Sequence, residues 1–410
     1  MPTDPANIRT AIVLQGGGAL GAYELGVLKA IYDQRPGFKP AAVAGISIGA
    51  VTSAVLGGAR DDPIATLETL WRDKLTVLPR VPGFPAATIP FMPREIERSL
   101  AALGNPGMYG LNSGMLFAPW ASTSIYETGP LRRTLAELAD LDTLNHGSTR
   151  VIVGAIDLET ALIRYFDNAE HDLTFEHVVA SGSLPPSFPM TEVDGHCYWD
   201  GGLFANTPLS PAINFLESCE PDNRAIHREL IVVQLFPMDA PLPRTLPDVL
   251  NRMVQLQYTS RIRLDEKLFN KIDKVIKLIQ RVDAELPADS PLRADKDYQS
   301  MLDHRRIDSF TVIEAKLDHD LTNASDFSRF SVEARIQAGY DDAKRQGVDW
   351  PSASAPPTPE APPEPKPPPE PEAPEPKAPP EPKAAPRRQA TPRPATRRRA
   401  PARPRPETPS

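Results

Sequence analysis

Two short apolar runs in the first fifty residues are each followed at once by a turn and a helix-forming stretch. The first run, residues 11–14, leads into a glycine-rich turn and an apolar stretch that reaches Tyr32. The second run, residues 41–46, leads into Ser47 and a run of small residues closed by Gly57 and Gly58. Buried parallel strands read as continuous apolar runs, and strand–helix–strand units place helices on the faces of a parallel sheet. The chain is therefore predicted to be an α/β protein with a mainly parallel central sheet.

The turn after the second run has the sequence Gly45-Ile46-Ser47-Ile48-Gly49, which matches the pattern G-x-S-x-G. In a nucleophile elbow the serine occupies a sharp turn between strand and helix, and the two glycines let neighbouring backbone pass close by. The N-terminus of the following helix favours negative charge that develops near the serine. The pattern favours Ser47 as a nucleophile, with a tight structural turn as the alternative.

The turn after the first run reads QGGGALG, from Gln15 to Gly21. Glycines directly after a strand leave backbone N–H groups unobstructed, which is how an oxyanion is stabilised. The segment also satisfies G-x-G-x-x-G, but the acidic residue expected about twenty positions later in a dinucleotide site is replaced by Ala41 or Ala42. A purely structural turn is a third interpretation. The candidate oxyanion residues are Gly16, Gly17, Gly18 and Gly21.

A serine nucleophile needs a base. In the usual chain order Ser–Asp–His a histidine follows the acid, and the histidines that follow the acidic candidate Asp200 are His227, His304 and His319. Each stands beside charged residues, a context typical of a solvated surface. A carboxylate can take the serine proton directly when it is close and partly desolvated. The sequence Asp200-Gly201-Gly202 supplies such a group. Two further acidic candidates have sequences typical of turns, namely Asp157 and Asp194.

Taken together, these three segments resemble the patatin-like phospholipase family, which is marked by a glycine-rich segment, a GxSxG elbow and a later DG[AG] motif. The resemblance covers about residues 9–240 and includes the runs 181–189 and 200–208. It implies a three-layer α/β/α fold and a Ser47–Asp200 dyad without histidine, with amides around Gly17 and Gly18 holding the oxyanion. It also implies that Gly45, Gly49, Gly201 and Gly202 support the two motifs. Gly202 stands where many relatives have Ala.

No metal or organic cofactor is implied by this resemblance. The implied activity is hydrolysis of acyl esters in phospholipid, lysophospholipid or neutral lipid. Two other function classes remain open from the sequence. One is a nucleotide-dependent oxidoreductase that uses the Gly16–Gly21 turn, and the other is a non-catalytic protein that tethers a membrane or a partner.

The last sixty residues differ in composition from the rest of the chain. Residues 351–410 contain no Leu, Ile, Val or Phe, so they cannot bury enough apolar area to offset chain entropy. We predict a catalytic domain at 1–240, a mostly helical extension packed on it at 241–350, and a disordered Pro-, Ala-, Glu- and Arg-rich tail. Residues 1–350 carry a net charge of −12 and the tail carries +4. An acidic body argues against nucleic acid as the main partner, and the tail's own partner is unknown.

The two cysteines, Cys197 and Cys219, fit a reducing compartment. The first ten residues lack the features of a signal peptide, and no run of eighteen apolar residues occurs. A cytoplasmic protein with at most peripheral membrane contact is therefore expected. Residues 80–124 lack regular periodicity although they contain many apolar side chains. They are interpreted either as a lid or lipid-facing surface, or as a partly helical insertion packed on the core.

Overall fold

The computed structural model describes residues 4–78, 94–220, 223, 225–237, 242–304 and 306–350. The tail predicted at 351–410 and the first part of the 80–124 segment lie outside the described residues. The strands are β1 (Ile8–Leu14), β2 (Ala42–Gly45), β3 (Gly104–Asn105), β4 (Tyr109–Leu111), β5 (Tyr126–Glu127), β6 (Arg150–Asp157), β7 (Ile163–Asp167), β8 (Thr191–Val193), β9 (His196–Asp200), β10 (His227–Gln234) and β11 (Ser309–Glu314).

The helices lie between and after these strands along the chain, singly or in groups. They are α1 (Ala22–Gln34), α2 (Ile48–Gly58), α3 (Pro63–Glu68), α4 (Arg94–Ala101), α5 (Ser113–Phe117), α6 (Gly129–Leu138), α7 (Leu141–His146), α8 (Phe175–Ser181), α9 (Leu209–Ser218), α10 (Leu246–Glu285), α11 (Lys296–Asp303) and α12 (Arg329–Arg345). A π-helical turn, Thr69–Lys74, continues α3.

The central sheet has the strand order β11-β10-β1-β2-β6-β9-β8, and β7 also pairs with β6. The pairs from β11 to β6 are parallel, whereas β7, β8 and β9 join as antiparallel strands. The mainly parallel α/β sheet predicted from the sequence is confirmed. The antiparallel strands β8 and β9 form a hairpin through Asp194 and Gly195, both of which have positive φ angles, as the hairpin-turn interpretation of Asp194 predicted.

Alternate side chains of β1 enter two separate cores, as the two-residue repeat of a strand requires. Ile12 and Leu14 pack in the core under α1, α2 and α12. Ala11 and Val13 pack in the core under α9. The sheet is therefore the middle of three layers, as the resemblance implied.

The segment after residue 240 contributes directly to this body. β11 pairs in parallel with β10 along six residues, and α12 packs against α1. The crossing of these two helices is close, because a Cβ on Gly26 would clash with the carbonyl of Ile336, and one on Gly339 would clash with that of Tyr23. The domain boundary at residue 240 remains a prediction, and the sheet continues across it.

The structure adds detail in two regions where periodicity left the fold open. The extension that was predicted to be mostly helical includes one long helix, α10. The described part of the 80–124 segment contains α4, α5 and strands of a small antiparallel sheet, β3-β4-β5. Tyr109 of this sheet is buried in the main core. In the described parts of the chain, no helix has an apolar stretch that could cross a bilayer.

Candidate active site

Ser47 occupies a strained turn between β2 and α2. Its φ and ψ angles are 56° and −120°, a conformation that residues other than glycine rarely adopt. The Ser47 N–H donates to Oγ of Ser181 at 3.0 Å, and this hydroxyl in turn donates to the carbonyl of Gly154 at 2.6 Å. Cβ atoms on Gly45 or Gly49 would clash with neighbouring backbone. The turn is therefore held in place by close backbone packing and by one buried serine.

Strand pairing explains why Asp200 lies beside Ser47. Strand β6 has two edges, and β7 pairs with it along one of them, opposite both Val153 and Ala155. On the other edge, Val153 pairs with Gly45 of β2, and Ala155 pairs with Asp200 of β9. β2 and β9 thus run toward each other along one edge of β6, and their ends meet at Gly154. The register brings together two residues that are far apart in the sequence.

The Asp200 carboxylate is buried, with only 2% of the residue exposed. Its side chain accepts a hydrogen bond from the backbone N–H of Gly202 at 2.7 Å, and Asp200 lines the same pocket as Ser47. Burial raises the pKa of Asp200 to about 6, because the desolvated carboxylate is less stable than the acid. The nearby Ser47 hydroxyl and the Gly202 N–H oppose this increase in pKa, because both stabilise the charged carboxylate. At neutral pH the group is ionised and more basic than an exposed aspartate.

The glycine-rich turn faces the same point. Gly16, Gly17 and Gly18 line a pocket with Ser47 and Asp200. The Gly16 N–H donates to the carbonyl of Asn206 at 3.2 Å. Within the described residues, the N–H groups of Gly17 and Gly18 have no hydrogen-bond acceptor. Two donors are therefore available beside the serine hydroxyl.

Gly21, the fourth predicted oxyanion residue, has different surroundings. It does not line the pocket, and a Cβ at this position would lie 2.7 Å from Cγ1 of Ile48 and 3.0 Å from Cζ2 of Trp71. Gly18, by contrast, has a φ of +55°, and a Cβ there would lie 2.5 Å from the carbonyl oxygen of Ala324. The geometry of Gly21 is that of a residue that lets two helices approach each other.

The pocket is a cavity of about 280 Å³ with a mainly apolar lining. Three aromatic rings on one side are in mutual contact, with centroids 4.7 to 6.1 Å apart, and belong to Tyr109, Tyr126 and Phe188. The segment after residue 240 supplies another wall, through Tyr258 of α10 and through Ala324 and Phe327. Burial raises the pKa of Tyr258 to about 12, with a smaller contribution from the charge of Asp200.

The other candidate bases do not lie in this pocket. None of the seven histidines lines it. His227, at the start of β10, contacts Ser309, at the start of β11, and His304 contacts Glu217. Asp157 accepts hydrogen bonds from the N–H groups of Glu159 and Thr160, in the turn that its sequence indicated.

Sequence reasoning assigned no role to three residues that the structure places at the site. Asn206 donates from Nδ2 to the carbonyl of Gly16 at 2.7 Å. Ser181 holds the Ser47 amide, and Tyr258 reaches the pocket from α10. Asn206 and Ser181 lie in the family-like runs 200–208 and 181–189, which were the available signal. Nothing in the amphipathic pattern of α10 marked Tyr258.

A serine on a strained strand–helix turn at the carboxyl end of a central strand has the geometry of a nucleophile elbow. A family model described as patatin-like phospholipase matches residues 12–213, and one described as patatin phospholipase matches residues 256–357. The chain belongs to the patatin-like phospholipase family, whose class of activity is lipid hydrolysis.

Two solved structures were also found to be similar. VipD from Legionella pneumophila has 15% identity and a TM-score of 0.37, and the match covers 84% of this chain and 69% of that chain. A chain of the heterodimeric complex ExoU–SpcU from the type III secretion system of Pseudomonas aeruginosa has 15% identity and a TM-score of 0.27, with 84% and 76% covered. No curated protein sequence matches the chain.

Proposed function

We propose that the protein is a lipid acyl-ester hydrolase, of the phospholipase A or lysophospholipase type, that uses a Ser47–Asp200 dyad. The observation that carries this proposal is the placement of the Ser47 hydroxyl near the buried Asp200 carboxylate, close enough to lower its pKa, in a pocket lined by the glycines of the 16–18 turn. Family membership supports lipid as the substrate class.

In the acylation step, Oγ of Ser47 attacks the ester carbonyl carbon while its proton passes to the Asp200 carboxylate. A buried aspartate with a pKa raised to about 6 remains ionised at neutral pH yet accepts a proton more readily than an exposed one. The tetrahedral intermediate collapses, the bond to the alcohol oxygen breaks, and that oxygen takes the proton from Asp200. Ser47 is left as an acyl ester.

Negative charge develops on the carbonyl oxygen in this step. The N–H groups of Gly17 and Gly18, for which no described residue is an acceptor, are the donors that we propose for it, and the N-terminus of α2 adds a favourable dipole. The Gly16 N–H is already used by Asn206, so Gly16 contributes through its position in the turn. Gly21 acts in packing.

Deacylation uses the same groups. Asp200, ionised again, takes a proton from a water molecule, whose oxygen attacks the acyl carbon of the Ser47 ester. The intermediate collapses, the proton returns to Oγ of Ser47, and a fatty acid is released. The apolar lining of the pocket suits an acyl chain, because burying hydrocarbon against aromatic rings removes it from water.

The test combines p-nitrophenyl ester hydrolysis with fluorophosphonate labelling of the full-length protein. Ser47→Ala is expected to abolish both, and Asp200→Asn to reduce hydrolysis by about 10³-fold or more, since a dyad member is lost. Ser187→Ala is the matched control, because Ser187 is another serine that lines the same pocket. Undiminished labelling of Ser47→Ala, or its loss in Ser187→Ala, would contradict the assignment of the nucleophile. A shift of the melting temperature by NAD(P) would favour the oxidoreductase alternative.

A further inference from the structure

The 28 residues from Ser99 to Tyr126 contain no Asp, Glu, Lys or Arg, in a chain where 24% of residues are charged. This is the longest uncharged stretch in the chain. At the average composition about seven charged side chains would be expected in such a length. An uncharged surface is one that can leave water without desolvating ions.

The second half of this stretch forms an ordered loop between β4 and β5. Leu111 of β4 pairs with Tyr126 of β5, so the two ends of the loop are adjacent. Asn112 braces the loop from inside, since its Nδ2 donates to the side chains of Ser122 and Ser124 and its Oδ1 accepts from the N–H of Gly114. The shape of the loop is therefore set by internal hydrogen bonds.

This braced loop exposes two large aromatic side chains. Phe117 is 82% exposed and Trp120 is 86% exposed. The side chains of Leu111, Met115 and Ile125 are exposed to a smaller degree, and they extend the same apolar surface. Holding two aromatic side chains in water has an unfavourable free energy, so the surface is built to meet an apolar phase.

The base of the loop is also a wall of the candidate active site. Tyr109 and Tyr126, on the two strands that carry the loop, line the pocket beside Ser47. The N–H groups of Ile125 and Tyr126 donate to the carbonyls of Pro186 and Ser187, in another segment of the pocket wall. Phe117 and Trp120 do not themselves line the pocket.

We propose that the loop from Leu111 to Ile125 is a lipid-docking surface, which inserts Phe117 and Trp120 into the interface of a zwitterionic bilayer. Aromatic side chains favour this interface, and the absence of charge removes any requirement for anionic lipid. Docking there places the pocket mouth at the source of its substrate. The inference rests on the proposed lipid hydrolase function for its purpose, although binding itself is measured independently of catalysis.

The test uses vesicles of phosphatidylcholine and the full-length chain with Ser47→Ala, so that the vesicles are not consumed. Adding Phe117→Ser and Trp120→Ser together is expected to lower the vesicle partition coefficient by about tenfold or more, since two aromatic side chains no longer enter the apolar phase. Leu278→Ser is the matched control, because Leu278 is also largely exposed but lies twenty residues beyond Tyr258 on α10. It is expected to bind as the parent does.

Binding is also expected to be unchanged at high salt, because no charge on the loop takes part. Equal binding by the double variant and the Leu278→Ser control would overturn the proposal. So would binding that is lost at high salt, which would instead point to the arginines after residue 386.

In the background with Ser47 intact, the double variant should hydrolyse soluble p-nitrophenyl butyrate at the parent rate but lose turnover of vesicle lipid. This separates the two proposals. An inactive parent that still binds vesicles through the loop contradicts the hydrolase and leaves the surface intact. An active parent whose double variant attacks vesicles normally contradicts the surface alone.

Fluorescence gives a second test that requires no loss of binding. Tryptophan emission should shift to the blue when vesicles are added, because Trp120 leaves water. Trp120→Phe should keep flotation and abolish the shift. A shift that persists in this variant means that a different tryptophan enters the lipid, which excludes docking through this loop.

Discussion

Asn206 and Gly16 hold each other through two hydrogen bonds. Nδ2 of Asn206 donates to the Gly16 carbonyl at 2.7 Å, and the Gly16 N–H donates to the Asn206 carbonyl at 3.2 Å. This contact ties the segment after Asp200 to the glycine-rich turn. The proposed base and the proposed oxyanion donors are therefore positioned relative to each other by a residue that takes no part in proton transfer.

We expect Asn206→Ala to lower kcat by about tenfold to a hundredfold with a smaller change in KM, because misaligned oxyanion donors weaken the transition state more than substrate binding. Asn206→Asp should behave similarly, because an ionised carboxylate cannot donate to the Gly16 carbonyl. Steady-state kinetics with a soluble ester measures this. Asn214→Ala, on α9, serves as the control, and an unchanged kcat in Asn206→Ala would exclude a positioning role.

The pH dependence of activity is expected to report Asp200. Because burial raises its pKa to about 6, and because only the ionised carboxylate accepts the serine proton, kcat/KM should rise with pH to a plateau, with a midpoint near 6. A profile of the free enzyme between acid and neutral pH measures the midpoint, and Ser187→Ala should share it. A midpoint at the ordinary aspartate pKa would contradict the buried environment.

The same group should lower the stability of the folded protein at neutral pH. Between its ordinary pKa of 3.8 and about 6, the folded protein keeps a proton on Asp200 that the unfolded chain releases. The free energy of unfolding therefore decreases as pH rises through this window. Asp200→Asn removes this dependence, so at neutral pH it should be more stable than wild type by at most about 3 kcal/mol. Urea unfolding of both proteins at both ends of the window tests the sign. A stability advantage of Asp200→Asn over wild type that is larger at acid pH than at neutral pH would contradict the prediction.

Ser181 should matter through its hydrogen bond to the Ser47 amide. Ser181→Ala leaves that amide and the Gly154 carbonyl without their partner, so kcat should fall by about tenfold and stability by about 1–3 kcal/mol. Ser183→Ala is a close control, since Ser183 is equally buried but bonds Val179 and Thr191. It should cost stability without a matching loss of kcat, and equal losses in both variants would remove the special role of Ser181.

Arg335 of α12 should be required for the wall formed by residues 319–328. Its buried guanidinium donates to four backbone carbonyls, including those of Ala19 and Asp326. Arg335→Lys cannot reproduce this planar set of donors and should lower the unfolding free energy by about 2–4 kcal/mol. Urea unfolding measures it, and Arg345→Lys is the control, because the Arg345 side chain is largely exposed. Equal stability of the two variants would contradict the prediction.

Local pattern was sufficient to predict the parallel sheet and the turn at Ser47, because both follow from short apolar runs and from glycines at fixed offsets. Proximity of Ser47 to Asp200 was expected only from the resemblance, since the register of β2 and β9 along β6 is a long-range property. The spacing of apolar residues along the sequence does not show which strands end beside each other in the sheet.

The contribution of the later segment was harder to foresee. Residues after 240 read as an extension, yet Tyr258, Ala324 and Phe327 complete the pocket. Their placement depends on packing between α10, the sheet and the loop before α12, and on a buried arginine whose partners are backbone carbonyls. Every residue type has a backbone carbonyl, so the sequence does not indicate which residues accept hydrogen bonds from Arg335.

The crossing of α1 and α12 also has a consequence for biosynthesis. Helix α1 emerges from the ribosome long before α12, the helix that covers it, which is complete only at Arg345. Until then the surface around Gly26 has no cover, and pairing over such a sequence separation is slow. Nascent chains stalled before residue 329, where α12 begins, should therefore be more vulnerable to proteases and more dependent on chaperones than chains that include α12.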